Sequence, residues 1–255
     1  MRQATEKQIS QWEKEGYLIV DRAYKGSDLL RLQAAFDRCA AEAKPEWLDA
    51  VEAGTRPAAY FDIPDPLQKD DVFIALADHP SYFGLLQDLL GEDLFFEGAQ
   101  VRTVPLSPIS YIGWHPDIPY DQPPHIKVQI YVETVPAEGG AFAFVPGSHK
   151  ADSGPYPNCE RLEEMPGHKV FPGTAGTAIV FNNYGWHTSM INRTDKPRKS
   201  IILSYGERDY RSQARKADLK RKGKPHLKLK NPDRHQVIDA RLTSSHRRKL
   251  FGLQS

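Results

Sequence analysis

The chain has 255 residues, with 34 lysines and arginines against 33 aspartates and glutamates and a formal net charge of +1 at pH 7. A balance this even demands no acidic partner, and the length is ample for one substantial core. Two cysteines, Cys39 and Cys159, make neither a disulfide scaffold nor a metal-type pair. The N-terminal residues are polar and charged, no stretch approaches membrane-spanning length, and the last three residues are not a peroxisomal address. A reducing, cytoplasmic setting is therefore expected.

In chain order, residues Thr5 to Glu15 read as a helix and Tyr17 to Val20 as a short strand. Ser27 or Asp28 is placed to cap a second helix that carries Leu29, Leu32, Phe36 and Cys39 or Ala40 on one face. Residues 55 to 70 are rich in proline and aspartate and read as an irregular excursion. From Leu94 the pattern shortens into strands separated by proline and glycine. Val101 and Val104 flank Arg102 on one of them. Lys127 to Glu133 alternates cleanly, with Val128, Ile130 and Val132 on one face and Lys127, Gln129, Tyr131 and Glu133 on the other. A strand with one apolar and one mixed polar face suits a jelly-roll whose interior is a reaction cavity, with the polar face lining it.

His115 and Asp117 stand two residues apart in Gly113-Trp-His-Pro-Asp117, and His187 follows the apolar run Thr177 to Phe181. Residues i and i+2 of an extended segment point the same way, so His115 and Asp117 can reach one metal, with the third ligand supplied from elsewhere in the fold. Two imidazoles and one carboxylate are the ligand set of a non-haem Fe(II) oxygenase, which leaves positions open for substrate and oxygen. Eleven residues after His187 comes Arg198, beyond the turn-like Arg193-Thr-Asp-Lys-Pro197. Strand, turn and strand predict an antiparallel hairpin that lays Arg198 alongside the His187 strand. A guanidinium fork there can grip the far carboxylate of 2-oxoglutarate, and Ser189, two residues beyond His187, can donate to it.

These residues, taken with three further pieces in the same order, resemble the phytanoyl-CoA dioxygenase family of Fe(II)/2-oxoglutarate oxygenases. Glu15-Gly-Tyr-Leu-Ile-Val20 resembles the opening strand of that family, and His79 to Gly91 the helix before its core. Trp114-His-Pro-Asp-Ile-Pro-Tyr120 resembles the proximal metal motif. Glu138 to His149, ending Pro-Gly-Ser-His, resembles the stretch after the central strands. His187-Thr-Ser189 with Arg198 resembles the distal motif.

The resemblance implies a mainly β fold with flanking helices around a double-stranded β-helix (jelly-roll, cupin-like) core. It implies one domain over 1–255, with a helical part over about 1–93, the core over about 94–207 and a basic flank over 208–255. Fe(II) held by His115, Asp117 and His187, 2-oxoglutarate and O2 are the implied cofactors, with no catalytic side chain beyond the ligands. Succinate and CO2 are the implied by-products of hydroxylating a small molecule, most naturally in a biosynthetic tailoring step; desaturation or ring closure uses the same ligands. Asp117 occupies the place that related halogenases leave to a halide, which disfavours halogenation. His149 is structural by the same resemblance and is rejected as a ligand.

Other assignments stay open at this level. Gln129 is either a cosubstrate hydrogen-bonder or half of a cross-strand polar pair, and Arg102 either reaches cosubstrate or substrate or makes a surface ion pair. Trp114, Trp186, Tyr120 and Tyr60 are packing residues of which some line the substrate pocket, Tyr120 and Trp186 foremost. The basic run between Arg208 and Arg234, with Lys220, Arg221 and Lys222 at its centre, reads as a solvated flank, or as a recruiter of an anionic substrate or nucleic acid. Two alternatives therefore accompany the hydroxylase: a jelly-roll binding module without turnover, and an oxygenase acting on nucleic acid or protein. Substrate identity and oligomeric state are not written in the motifs.

Overall fold

A computed structural model describes residues 3–105, 113–207 and 238–253. The basic run and the roles considered for it lie outside the described residues.

Helix α1 (Glu6–Glu15) opens on a capping box. Thr5 accepts from the Gln8 amide, and the Gln8 side chain accepts from the Thr5 amide. It closes on Gly16, at φ 82°, where a Cβ would sit 2.4 Å from the His149 ring. His149 is thus packed against the α1–β1 junction, consistent with a structural histidine. Helix α2 (Gly26–Glu52) buries Leu32, Phe36 and Cys39, as the periodicity predicts. Its cap differs from expectation. The capping position falls on Lys25, without a side-chain bond, and Asp28 lies inside the first turn, where it pairs with Arg31 at 2.6 Å. The acidic group still faces the positive end of the helix dipole. The stretch 55 to 70 is less irregular than its prolines suggest. It holds a two-residue edge strand, β2 (Phe61–Asp62), paired with Thr103 and Arg102, and a turn of helix, α3 (Pro66–Lys69).

The other strands are β1 (Tyr17–Val20), β3 (Leu94–Val104), β4 (His125–Tyr131), β5 (Phe142–Phe144), β6 (Lys169–Phe171), β7 (Ala178–Asn182), β8 (His187–Ser189) and β9 (Arg198–Glu207). They form a six-stranded antiparallel sheet in the order β1-β7-β4-β9-β3-β2 and a three-stranded sheet in the order β6-β5-β8. The mainly β, helix-flanked fold expected from the sequence is present. One face of the large sheet, with Val101, Val128, Ile130, Ile201 and Leu203, packs on Leu32 and Phe36 of α2 and on helix α4 (Phe83–Leu90). The opposite face carries Lys127, Gln129, Arg102 and Ile202 and looks into a cavity whose other wall includes Phe142 of the small sheet. The C-terminal residues Ile238, Leu242, Leu250 and Phe251 dock back into the main core. Among the described residues no helix is long and apolar enough to cross a membrane.

One expectation about the core is overturned. β8 and β9 do not form a hairpin: β8 pairs with β5 in the small sheet, whereas β9 pairs with β3 and β4 in the large one. The connection between them is a polar turn that changes sheets. Asn192 holds it, accepting from the amide and hydroxyl of Thr194 and donating to the Lys196 carbonyl at 2.7 Å. Periodicity shows two strands and a turn, but it does not show which sheet receives the second strand.

Tyr131, at the end of β4, ties the two sheets together. Its hydroxyl donates to the Phe171 carbonyl and accepts from the Phe142 amide, both at 2.8 Å, and the side chain is fully buried. Burial pushes its phenol up to about 12, against a partial opposing pull from Arg198. A raised folded-state value favours the protonated fold. The contribution is therefore complete below the unfolded value of about 10 and is lost as the pH climbs from there toward 12. Tyr131→Phe strands two buried backbone groups and is expected to cost about 2–4 kcal/mol at neutral pH, measured by urea unfolding.

Candidate metal centre

The two histidines meet through the backbone. His115 and His187 form an isolated antiparallel bridge, His115 N to His187 O at 3.2 Å and His187 N to His115 O at 3.0 Å, which brings the rings to a centroid distance of 4.6 Å. Asp117 is held by its amide on the Asn183 carbonyl at 3.1 Å, at the end of β7. One ligand atom from each of His115, Asp117 and His187 lies within 4.8 Å of the others, a span that a single ion can bridge.

The tautomers suit a metal. Nδ1 of His115 lies 2.9 Å from the Gly113 carbonyl, and Nδ1 of His187 lies 2.9 Å from the Gly185 carbonyl. A carbonyl only accepts, so Nδ1 carries the proton in both rings and the Nε2 lone pairs face Asp117. Burial pushes the His115 imidazole below its ordinary value and so favours the neutral ligand form. Burial alone would raise the Asp117 carboxyl. The Lys127 ammonium, 2.7 Å from Oδ2, outweighs it and holds the group well below the usual carboxylate range. Two neutral imidazoles and an ionised carboxylate are the state a divalent ion requires.

The site opens into a cavity of about 360 Å³, lined by Gln100, Arg102, Lys127, Gln129, Ser189 and Ile202 among others. The antiparallel register orders its floor. Lys127 faces Ser204, then Gln129 faces Ile202, then Tyr131 faces Ser200, and Arg198 lies two residues further along β9. Arg198 is 3% exposed. One terminal nitrogen, Nη1, donates to Ser189 Oγ at 2.8 Å and to the Gly140 carbonyl, while Nε and Nη2 have no partner among the described residues. Gln129 Nε2 and Ser200 Oγ, on the same sheet face, are likewise buried without a partner among the described residues. A buried guanidinium with donors unmet costs several kcal/mol, and native interiors rarely leave such groups unmet. Unmet donors gathered beside a metal-type triad fit a bound dicarboxylate.

The sequence model of the phytanoyl-CoA dioxygenase (PhyH) family matches residues 12–200. The chain belongs to the phytanoyl-CoA dioxygenase family. Its fold is that of the cupin-like 2-oxoglutarate oxygenases. The non-haem α-ketoglutarate-dependent epimerase SnoN of nogalamycin biosynthesis is 22% identical, with 79% of this chain and 82% of that chain covered at a TM-score of 0.59. For the carbocyclase SnoK of the same biosynthesis the values are 18%, 80%, 84% and 0.61. HygX from Streptomyces hygroscopicus, crystallised with nickel, 2-oxoglutarate and hygromycin B, gives 17%, 80%, 88% and 0.60. SnoN has also been crystallised with Fe3+ and α-ketoglutarate. The His-Asp-His triad of this phytanoyl-CoA dioxygenase family member can hold the same kind of ion.

The remaining candidate residues fall in two groups. Ser189 and Gln129 line the cavity and Arg198 stands directly behind Ser189. Arg102 also lines it, with its guanidinium clamped on Asp62 at 2.6 and 2.7 Å and stacked 4.1 Å from the centre of the Tyr60 ring. Tyr60 joins the lining. The other three aromatics stand outside it. Tyr120 is 40% exposed, donates to the Ser148 carbonyl and meets the Tyr184 ring at a tilt. The Trp186 ring lies against Tyr156, and Trp114 donates to the Leu162 carbonyl at 2.8 Å. Proximity in sequence to the motifs misleads here, because side chains flanking a ligand point away from it. Ser200 and Gln100 are lining or floor residues that no motif marks. Strand alternation from Arg198 and Arg102 places both of them on the cavity face.

Proposed function

We propose that this chain is an Fe(II)/2-oxoglutarate-dependent dioxygenase that hydroxylates an unactivated C–H bond of a small molecule, in a biosynthetic tailoring step that releases succinate and CO2. The observation that carries this reading is the set of buried, unmatched donors of Arg198 and Gln129 next to the triad. Iron bound to His115, Asp117 and His187 supplies oxygen activation, with 2-oxoglutarate as the electron source. The residues of the chain bind and orient. Arg198 and Ser189 hold the distal carboxylate, and Gln129 donates to the cosubstrate body. Phe142 and Phe181 keep water from the ring side of His187. A second cleft of about 270 Å³, lined by Trp47, Arg56 and Asp65, shares Tyr60 and Gln100 with the metal cavity and would be the place for substrate to approach.

Support for a small-molecule substrate comes from HygX and SnoN, crystallised with hygromycin B and with nogalamycin RO. The epimerase and carbocyclase activities of SnoN and SnoK favour a second outcome on the same ligands, stereochemical inversion or ring closure, which product analysis separates from hydroxylation. The deciding experiment is an anaerobic titration of metal-free protein with Fe(II) and then 2-oxoglutarate. A visible charge-transfer band at one equivalent is expected, followed by succinate release on admitting oxygen. Well-folded protein that gives no band would overturn the reading in favour of a binding module without turnover.

A further inference from the structure

The family and the triad assign no role to Lys127, a charged residue of the cavity. Lys127 lies on β4, two residues before Gln129 and on the same face. Its side chain is only 17% exposed, and its ammonium sits 2.7 Å from Oδ2 of Asp117. Asp117 is the sole anionic ligand of the triad, so the lysine is aimed at the one group whose binding mode is variable. An imidazole offers one lone pair to a metal. A carboxylate offers either one oxygen or two.

We propose that Lys127 is a positioning residue that pins Oδ2 of Asp117 and thereby restricts the carboxylate to one metal bond. The proposal rests on the metal reading above. Its consequence follows from counting. An octahedral ion gives three positions to the triad and two to the keto and carboxylate oxygens of 2-oxoglutarate, which leaves one. A two-oxygen Asp117 would fill that last position and exclude oxygen. An ammonium hydrogen-bonded to Oδ2 opposes this, because it occupies a lone pair of an oxygen that stands 3.2 Å from His187 Nε2, and a second metal bond through Oδ2 would have to compete with that charge-assisted contact. Neighbouring strands fix the lysine stem: Lys127 is in register with Phe181 on β7 and Ser204 on β9.

Water-proton relaxation of the Mn(II)-loaded protein tests this directly, since it counts the exchangeable waters on the ion without turnover. Lys127→Met keeps the length and apolar stem but removes the bond, and Lys127→Arg keeps a donor. In Lys127→Met the relaxivity of bound Mn(II) is expected to fall by about one third, as one of three open positions closes. With 2-oxoglutarate added it should fall almost to the outer-sphere value, and Lys127→Arg should restore most of the loss. Urea unfolding of each variant checks the fold. Unchanged relaxivity in Lys127→Met, with Mn(II) bound, would overturn the proposal. Tighter Mn(II) binding at unchanged relaxivity would likewise overturn it, since the lysine would then only occupy the place of the ion. Failure of the parent chain to bind Mn(II) would overturn the metal reading itself, a result distinct from either.

Discussion

His187→Ala and His115→Ala are both expected to lose at least about 100-fold in affinity for Fe(II) or Mn(II), because each removes one of three protein ligands from an ion that needs all of them. Their stabilities should differ. His187 is 7% exposed and packs against Phe181 at 4.9 Å and Phe142 at 5.7 Å between ring centroids. Truncating it empties a volume walled by aromatic rings, which is expected to cost about 2–4 kcal/mol in urea unfolding of the metal-free protein. The His115 side chain is 29% exposed and its ring meets that of His187 rather than an aromatic wall among the described residues, so its loss should cost about 1 kcal/mol or less. Isothermal titration with Mn(II) and urea unfolding, run on the same two variants, separate the ligand role from the packing role. Metal bound by either variant at the parent affinity would remove that histidine from the site.

The difference between these histidines shows what the sequence made legible and what it left hidden. The residue types and the i, i+2 spacing are enough to single out His115 and Asp117, and the apolar run before His187 marks a strand end. The bridge that joins His115 to His187 is a pair of backbone bonds between segments 72 residues apart in a chain of 255. Backbone groups are alike in every residue, so no side chain announces that contact. Alternation along β4 placed Lys127, Gln129 and Tyr131 on the cavity side, and register then carried the pattern to Ser200 and Ile202 on β9. The hairpin expected for β8 and β9 failed for the complementary reason. Local pattern fixes where a strand begins and ends, but the sheet it joins depends on which face of the core remains uncovered. The Arg198–Ser189 contact survives that error, since it bridges the two sheets rather than two paired strands.

Arg198→Ala is expected to reduce 2-oxoglutarate affinity by about 100- to 4000-fold, from the 3–5 kcal/mol typical of breaking a buried charge pair, at about 1.4 kcal/mol per tenfold. Metal affinity should stay near the parent value, because Arg198 contacts Ser189 and Gly140 and no ligand. The sign of the stability change depends on the cosubstrate. In its absence the parent buries a cation with two donors unmet. Removing it gives up two hydrogen bonds but also relieves that burden, so the metal-free variant should lie within about 1 kcal/mol of the parent. With Mn(II) and 2-oxoglutarate at 100 times its dissociation constant, the parent gains about 2.7 kcal/mol and the variant almost nothing. Arg198→Lys keeps the charge but not the two parallel bonds, and should fall between them. Thermal unfolding with and without 2-oxoglutarate reads the difference. An Arg198→Ala protein stabilised by 2-oxoglutarate as much as the parent would place the distal carboxylate elsewhere in the cavity, with Arg102 the next cation to replace.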